Sequence, residues 1–509
     1  MALARTWSVG LIGLEGRVVE VEADLALGLP GLSVIGLPDT ALAESRDRVR
    51  AAIVNSGEQW PQRRITLALS PATLPKRGSG FDLALAAGVL AANGAVPADA
   101  LRGRVLLGEL GLDGRVRPVP GVLPAVLTAV RAGLERAVVP VDNLAEAQLV
   151  PGVEAVGVGS LRSLVALLRG EPVSDEPSAV CEAAGPARLP DLVDVAGQPA
   201  GRTAVEVAAA GGHHLFLLGP PGSGKTMLAE RLPGVLPPLS VEDALEVTAI
   251  HSVAGRLPAA GPLMTQAPFQ DPHHTATRAA IVGGGSGIAT PGCASLAHRG
   301  VLFLDEAPEF ASGVLDSLRQ PLENGRVTIA RAGGTAVYPA RFALVLAANP
   351  CPCARGDSGC VCTPDARRRY LARLSGPLLD RVDLHVTVPR ITRAEMLAED
   401  GLGEPTAVVA ARVRAARDTA AARYAGTAWR TNSDVPAVDL RRRWPIPRSA
   451  TQVAEQALDQ GQVTARGFGQ VLRVAWTLAD LQGVGTPTAA QVDHALAFRL
   501  GPASAGLAA

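Results

Sequence analysis

The sequence predicts an α/β protein of about three domains, and three observations carry that expectation. A four-residue apolar strand, Leu215 to Leu218, runs through a glycine-rich turn into a helix and spells G-x-x-x-x-G-K-[ST] from Gly219 to Thr226. About 80 residues later a second apolar strand, Val301 to Leu304, ends in Asp305-Glu306. The chain, 509 residues and 48% hydrophobic, is long enough for roughly three cores of ordinary size.

The first of these is a phosphate-binding loop, and its residue types follow from its chemistry. Gly219, Pro220, Pro221, Gly222, Ser223 and Gly224 let successive backbone N–H groups curve around a polyphosphate, and the helix N-terminus adds partial positive charge. Lys225 would reach the terminal phosphates of ATP and the Thr226 hydroxyl would ligate Mg2+. Lys76 and Lys225 are the two lysines of a chain otherwise supplied with arginine, so a compact ammonium was kept where phosphate calls for one. At the second strand, Asp305 would hold Mg2+ through water and Glu306 would polarise the attacking water. The C-terminal end of a buried strand is where open α/β sheets bind ligands.

Composition narrows the remaining classes. Lys+Arg and Asp+Glu balance at 48 each, so a nucleic-acid role must rest on a local surface. No run of 18 apolar residues and no secretory leader are present, which predicts a cytoplasmic protein without a membrane partner. Six cysteines are too few for a disulfide scaffold, and four form C-x-C-x6-C-x-C: Cys351, Cys353, Cys360 and Cys362. This set suits tetrahedral zinc or stays as free thiols, and Cys181 and Cys293 are expected to be inert.

Residues 1–170 read as mixed α/β, with strands at Arg17–Glu22 and Ile65–Leu69, helices at Thr40–Asn55 and Phe81–Asn93, a helix at Val122–Ala132 and a strand at Ala137–Pro140. Ser70-Pro71 to Leu83, Gly108-Glu109-Leu110 with Asp113-Gly114, and Val119-Pro120-Gly121 through Gly133 resemble the proteolytic domain of Lon-type proteases. That class uses a Ser–Lys dyad, but here the nucleophile position falls on Gly80, with Ser79 one place off, and the lysine position on Ala125. Lys76 lies on the wrong segment. The expectation is a Lon-like fold without peptidase activity.

Residues 171–190, rich in Pro, Ala and acid, read as a linker. From 191 to 390 the order resembles the helix-2-insert branch of AAA+ ATPases, in which Asp191–Gln198 would lie over the adenine and offer Val193 and Val195 to the base. Phe269–Gly300 is a turn-rich insertion whose His273 and His274 are assigned a loop role, and Gly325–Tyr338 is a hairpin about Gly333-Gly334. Proline-punctuated helices, Ala407–Tyr424, Ala450–Gln460, Gly467–Leu481 and Ala489–Arg499, fill 391–509 as a lid.

PHH at 272–274, GGG at 283–285, SLAHRGVLFLDE at 295–306, LRQPLENG at 318–325 and NPCPC at 349–353 narrow the match. On these the chain resembles the magnesium-chelatase-like YifB/ComM family over nearly its whole length. The resemblance implies a homo-hexameric ring that hydrolyses ATP and drives branch migration of single-stranded or branched DNA in recombination or natural transformation. It implies Asn349 as the sensor of the lytic water and Arg381 as the finger reaching a neighbour's γ-phosphate. Arg466 matches the second sensor, in cis or in trans. Residues 319–381 carry ten arginines against four acids, and Arg331 at the hairpin with Arg278 in the insertion are the preferred DNA contacts. Two alternatives stand beside this: a chelatase-type ATPase that remodels a protein partner, and an ATP-dependent Lon-like protease.

Overall fold

The computed structural model describes residues 2–36, 40–72, 76, 78–172, 189–258, 262–285, 289–331, 334–355, 360–393, 395 and 403–507. Cys181 with most of the expected linker, residue 333 of the expected hairpin turn with its neighbour 332, and residues 356–359 lie outside the described residues.

The first nine strands are β1 (Ala2–Ile12), β2 (Glu15–Ala26), β3 (Gly31–Ile35), β4 (Arg64–Ser70), β5 (Arg104–Leu106), β6 (Glu109–Leu110), β7 (Val116–Arg117), β8 (Arg136–Pro140) and β9 (Glu154–Val158). Seven form one sheet in the order β3-β4-β2-β1-β5-β8-β9, and β6 and β7 pair separately. β2 alternates as a half-buried strand should, with Val19, Val21, Ala23 and Leu25 inward. Helix Asp82–Ala92 is buried all round, which its apolar composition on every face requires. Its one charge, Asp82, is paired by Arg48 Nε at 2.9 Å and accepts the Leu110 N–H at 3.1 Å.

The second sheet contains β10 (Leu215–Leu218), β11 (Phe269–Gln270), β12 (Val301–Leu304), β15 (Ala343–Ala348) and β16 (Leu384–Thr387). All are parallel, in the order β11-β12-β15-β10-β16. β10, β12 and β15 are nearly continuous apolar runs because helices cover both faces of a parallel sheet. Between β12 and β15 stand β13 (Arg326–Arg331) and β14 (Gly334–Pro339), the expected antiparallel hairpin. The stretch after Glu306 forms two short helices, Ser312–Ser317 and Arg319–Asn324.

Helices Thr406–Arg423, Arg448–Asp459, Ala465–Leu481 and Ala489–Leu507, the last kinked at Gly501, pack their apolar faces into the core of the second sheet. A buried polar chain ties them to it: His213 Nε2 lies 2.8 Å from Thr477 Oγ1, and His213 Nδ1 lies 3.3 Å from Asp383 Oδ2. Among the described residues no helix is long and apolar enough to cross a membrane.

Among the described residues, the two sheet units touch at the following places. Buried Glu146 accepts hydrogen bonds from Leu123 N (2.8 Å) and from the Ser252 hydroxyl of helix Val241–Val253, and Gly121 N donates to Ser252 O at 3.1 Å. The β1–β2 turn forms the second contact. Ile12 and Leu14 pack into the cluster that holds the β13–β14 hairpin, and a Cβ on Gly13 would sit 3.2 Å from that of Ala336.

Candidate nucleotide site

Parallel register brings three strand ends to one edge. Leu218 pairs with Ala348 and Leu304 with Leu346, so Gly219, Asn349 and Asp305 emerge side by side. Gly219 N donates to Ala348 O at 3.1 Å, and a Cβ at Gly219 would fall 2.2 Å from Val388 O, so only glycine fits the start of the loop. Gly224 stands in the left-handed region (φ 89°) as the cap of helix Lys225–Val235, facing open space.

Lys225 is buried, and its three ammonium protons meet three oxygens: Gly219 O at 2.7 Å, Pro220 O at 3.0 Å and Asn349 Oδ1 at 3.2 Å. Burial holds its pKa below that of an ordinary lysine, against the opposing pull of Asp305 and Glu306. The Thr226 hydroxyl donates to Asp305 Oδ2 at 2.8 Å. A hydroxyl beside a carboxylate is the hard-oxygen pair that suits Mg2+. Among the described residues, Ser223 Oγ in the same loop is buried without a hydrogen-bond partner. An orphan donor, a glycine-only bend and a helix N-terminus together fit a polyphosphate. Bound there, Mg2+ would neutralise phosphate charge.

Glu306 sits one residue past Asp305 in the left-handed region (φ 49°), a strained place for a residue with a side chain. Its N–H donates to Asp305 Oδ1 at 2.8 Å, and its Oε2 lies 3.2 Å from His274 Nδ1. His274 stands in a turn, in keeping with the loop role expected for it, and this carboxylate is its partner. The acid that partners it is distant in sequence and close only through the pairing of β11 with β12.

Asp191–Gln198 runs beside the phosphate loop. Val195 is a core residue, and the residue that reaches the loop is Gln198, whose Nε2 donates to Ser223 O at 3.0 Å and Pro389 O at 2.6 Å. A non-glycine in the left-handed region (φ 53°) gives no signal in a sequence, so Gln198 was missed.

Arg381 and Arg466 gather elsewhere. Among the described residues Arg381 donates to Glu323 and to Pro377 O, while Arg466 lies 3.5 Å from Asp380. Asp380 also accepts from Arg499 at 2.9 Å and from the Thr464 hydroxyl at 3.2 Å. The hydrogen bond and charge of Arg381, then the charges of Arg466 and Arg319, hold Glu323 below the usual carboxylate range. The two arginines thus belong to one surface.

Residues 191–396 match the family described as magnesium chelatase, subunit ChlI; 21–143 match subunit ChlI of Mg-chelatase; and 403–499 match its C-terminal portion. An uncharacterised protein of Mycobacterium tuberculosis is 55% identical over 500 residues, covering 98% of this chain and 99% of that one. YifB of Escherichia coli is 39% identical over 501 residues (98% and 97%), and the competence protein ComM of Haemophilus influenzae is 38% identical over 506 (98% of each). The chain belongs to the magnesium-chelatase-like YifB/ComM family. Its central module is therefore a chelatase-type AAA+ domain, which implies ATP hydrolysis with Mg2+.

The Lon likeness of this YifB/ComM member is confined to its N-terminal part: a Lon protease of Mycolicibacterium smegmatis is 30% identical over 150 residues, 28% of this chain and 19% of that one. There Ala125 is buried in helix Val122–Arg131, the Ser79 hydroxyl donates to Glu109, and fully buried Lys76 donates to Pro71 O.

The four cysteines converge. Cys351 Sγ lies 3.4 Å from those of Cys353 and Cys360, Cys353 Sγ lies 3.7 Å from that of Cys360, and all four ligand sulfurs fall within 4.8 Å of one another. A tetrahedral Zn–S bond of about 2.3 Å sets sulfurs about 3.8 Å apart, so the set fits zinc. Cys360 Sγ also accepts from Arg367 at 3.2 Å, as a thiolate would.

Proposed function

We propose that this YifB/ComM member is an ATP-driven ring motor on DNA, acting on single-stranded or branched substrates in recombination or natural transformation. One observation carries the reading. Arg381 and Arg466 share the Glu323–Asp380 surface, while Lys225, Thr226, Asp305, Glu306 and Asn349 form the nucleotide site on the strand ends. Two arginines on one surface are suited to serve the same nucleotide, that of an adjoining copy, as an arginine finger does. On this reading Arg466 acts in trans and the active form is a homo-hexameric ring. Arg278 and Arg331, both exposed, are offered to phosphates, which bind without reading sequence. The name of the competence relative, ComM, points the same way. The Lon-like part is read as a scaffold without peptidase activity, and the cysteines as a structural zinc centre, which elemental analysis of the purified chain would reveal as one zinc per copy.

In the hydrolytic step Lys225 would bind the terminal phosphates, Thr226 and Asp305 hold Mg2+, Asn349 orient the water and Glu306 accept its proton. The test is ATP turnover with single-stranded, duplex and forked DNA at low and high salt. Stimulation by forked or single-stranded DNA that fades as salt rises is expected. Flat rates with no retention on DNA would remove the motor reading and leave the chelatase-type alternative, remodelling of a protein partner, suggested by the family matches. Casein cleavage that disappears in Ser79→Ala would favour the protease.

A further inference from the structure

The loop from Leu27 to Pro30 joins β2 to β3 at one end of the N-terminal sheet, and beside it lies a recess of about 270 Å3. Its walls mix three chemistries. Trp60 is half-buried, packing against the N-terminal core while it lines the recess with Pro30 and Leu32. Arg46 and Arg50 come from helix Thr40–Asn55, four residues apart and so on one face. Gln62 adds an amide that both donates and accepts.

The two arginines are not committed elsewhere. Both are exposed, and among the described residues Arg50 has no ion-pair partner while Arg46 has Asp47 alone, an exposed acid at 3.8 Å. Arg48, between them in sequence, instead pairs with buried Asp82 at 2.9 Å. Arg63, whose C=O accepts from Gly31 N, and Arg64 at the start of β4 are exposed as well. With the recess they make four arginines against Asp47, so the charge suits an anion.

The aromatic wall narrows the anion to one that carries a ring. A base stacks on an indole, a phosphate takes a guanidinium fork, and an amide can meet a base edge. An acidic peptide would use the arginines and leave Trp60 without a flat partner. Leu27 and Leu29, each 91% exposed in the adjoining loop, offer further apolar surface to a base. In a duplex the bases already stack on one another, so the recess favours a single strand.

β2 sets the place of this recess. Its Glu15 end adjoins the turn packed under the β13–β14 hairpin and its Ala26 end leads to the recess, so its 12 residues put the two about 35 Å apart. We infer that the Trp60 recess is a second contact for single-stranded DNA, holding one unpaired nucleotide with its phosphates on Arg46 and Arg50. The inference deepens the motor reading and rests on it for the presence of a strand.

The experiment titrates the full chain with fluorescent oligothymidylate over a range of salt, in wild type, Trp60→Ala, Trp60→Phe and the double variant Arg46→Gln/Arg50→Gln. Trp60→Ala should weaken binding about 5- to 100-fold, the worth of one stacked base, and Trp60→Phe should restore most of it. The double variant, confined to an exposed helix face, should lower the slope of log affinity against log salt by about 1.4, or about 0.7 per phosphate. ATP turnover without DNA should be unchanged in all of them. Unaltered affinity and slope in the double variant, in a protein whose turnover DNA stimulates, would overturn the recess and leave the motor reading standing. Photocrosslinking of a 5-iodouracil oligomer to Trp60, in a wild type whose turnover ignores DNA, would uphold the recess and reject the motor. Displacement of the oligomer by thymidine monophosphate at equal base concentration would assign the recess to a free nucleotide and overturn the strand.

Discussion

Lys225 commits every ammonium proton to an oxygen, two on its own loop and one on Asn349, so the residue links the phosphate loop to the neighbouring strand end before nucleotide arrives. Removing it strands those acceptors as well as the phosphates. Lys225→Ala should abolish binding in a fluorescent-nucleotide titration, and Lys225→Arg should not rescue it, because a planar fork does not replace a point charge in that hole. Glu306→Gln keeps the shape and loses the base. It should bind ATP normally and turn over about 10^2- to 10^4-fold more slowly. Normal turnover in that variant would remove Glu306 from the role of water activator.

At the scale of elements, several imidazoles in and around the second sheet are buried, and burial lowers their pKa values. His385 on β16 packs edge-on against Phe216, and burial, aided by the charge of Arg499, pushes its pKa down to about 4 from 6.5. Burial likewise lowers His214, His251 and His298. A base whose folded pKa lies below its unfolded value takes up protons on unfolding. Its contribution is therefore complete above about pH 6.5 and is lost as pH falls toward 4, on the order of 3 kcal/mol for His385 alone. Urea midpoints should accordingly drop between pH 7 and 4.5, and His385→Phe, which already packs without a proton site, should flatten that slope. An unchanged slope would exclude the imidazole as its source.

These elements also mark where reading from sequence succeeds. The phosphate loop and Asp305-Glu306 are local patterns, so their chemistry stands in the order of residues. β1 carries no such pattern, because its inward face is Ala4, Thr6 and Ser8 while Leu3 points outward. The Thr6 hydroxyl satisfies itself on Ala84 O at 3.0 Å, a partner 78 residues away. The His274–Glu306 contact needs the β11–β12 register, and Gln198 needs a left-handed backbone. Neither is written in any single stretch.

For the whole molecule, the proposed function puts the decisive arrangement between copies. Arg381→Ala should keep nucleotide affinity and lose about 10^3- to 10^5-fold in turnover. Mixed with Lys225→Ala, which binds no nucleotide but still presents its arginine, it should regain activity, since each intact site then meets an intact neighbour. Two inactive proteins that stay inactive on mixing, or an Arg381→Ala protein at full speed when diluted, would place hydrolysis within a single copy. The opening strands of the chain add a mechanical constraint. The bend between them packs under the arginine-bearing hairpin, Gly13 against Ala336, so the N-terminal sheet and the hairpin are in direct contact. If the chain is the proposed motor, a stroke of that hairpin must either slide over the bend or carry the seven-stranded sheet along, and the load would then fall on the N-terminal sheet as well as on the nucleotide-binding core.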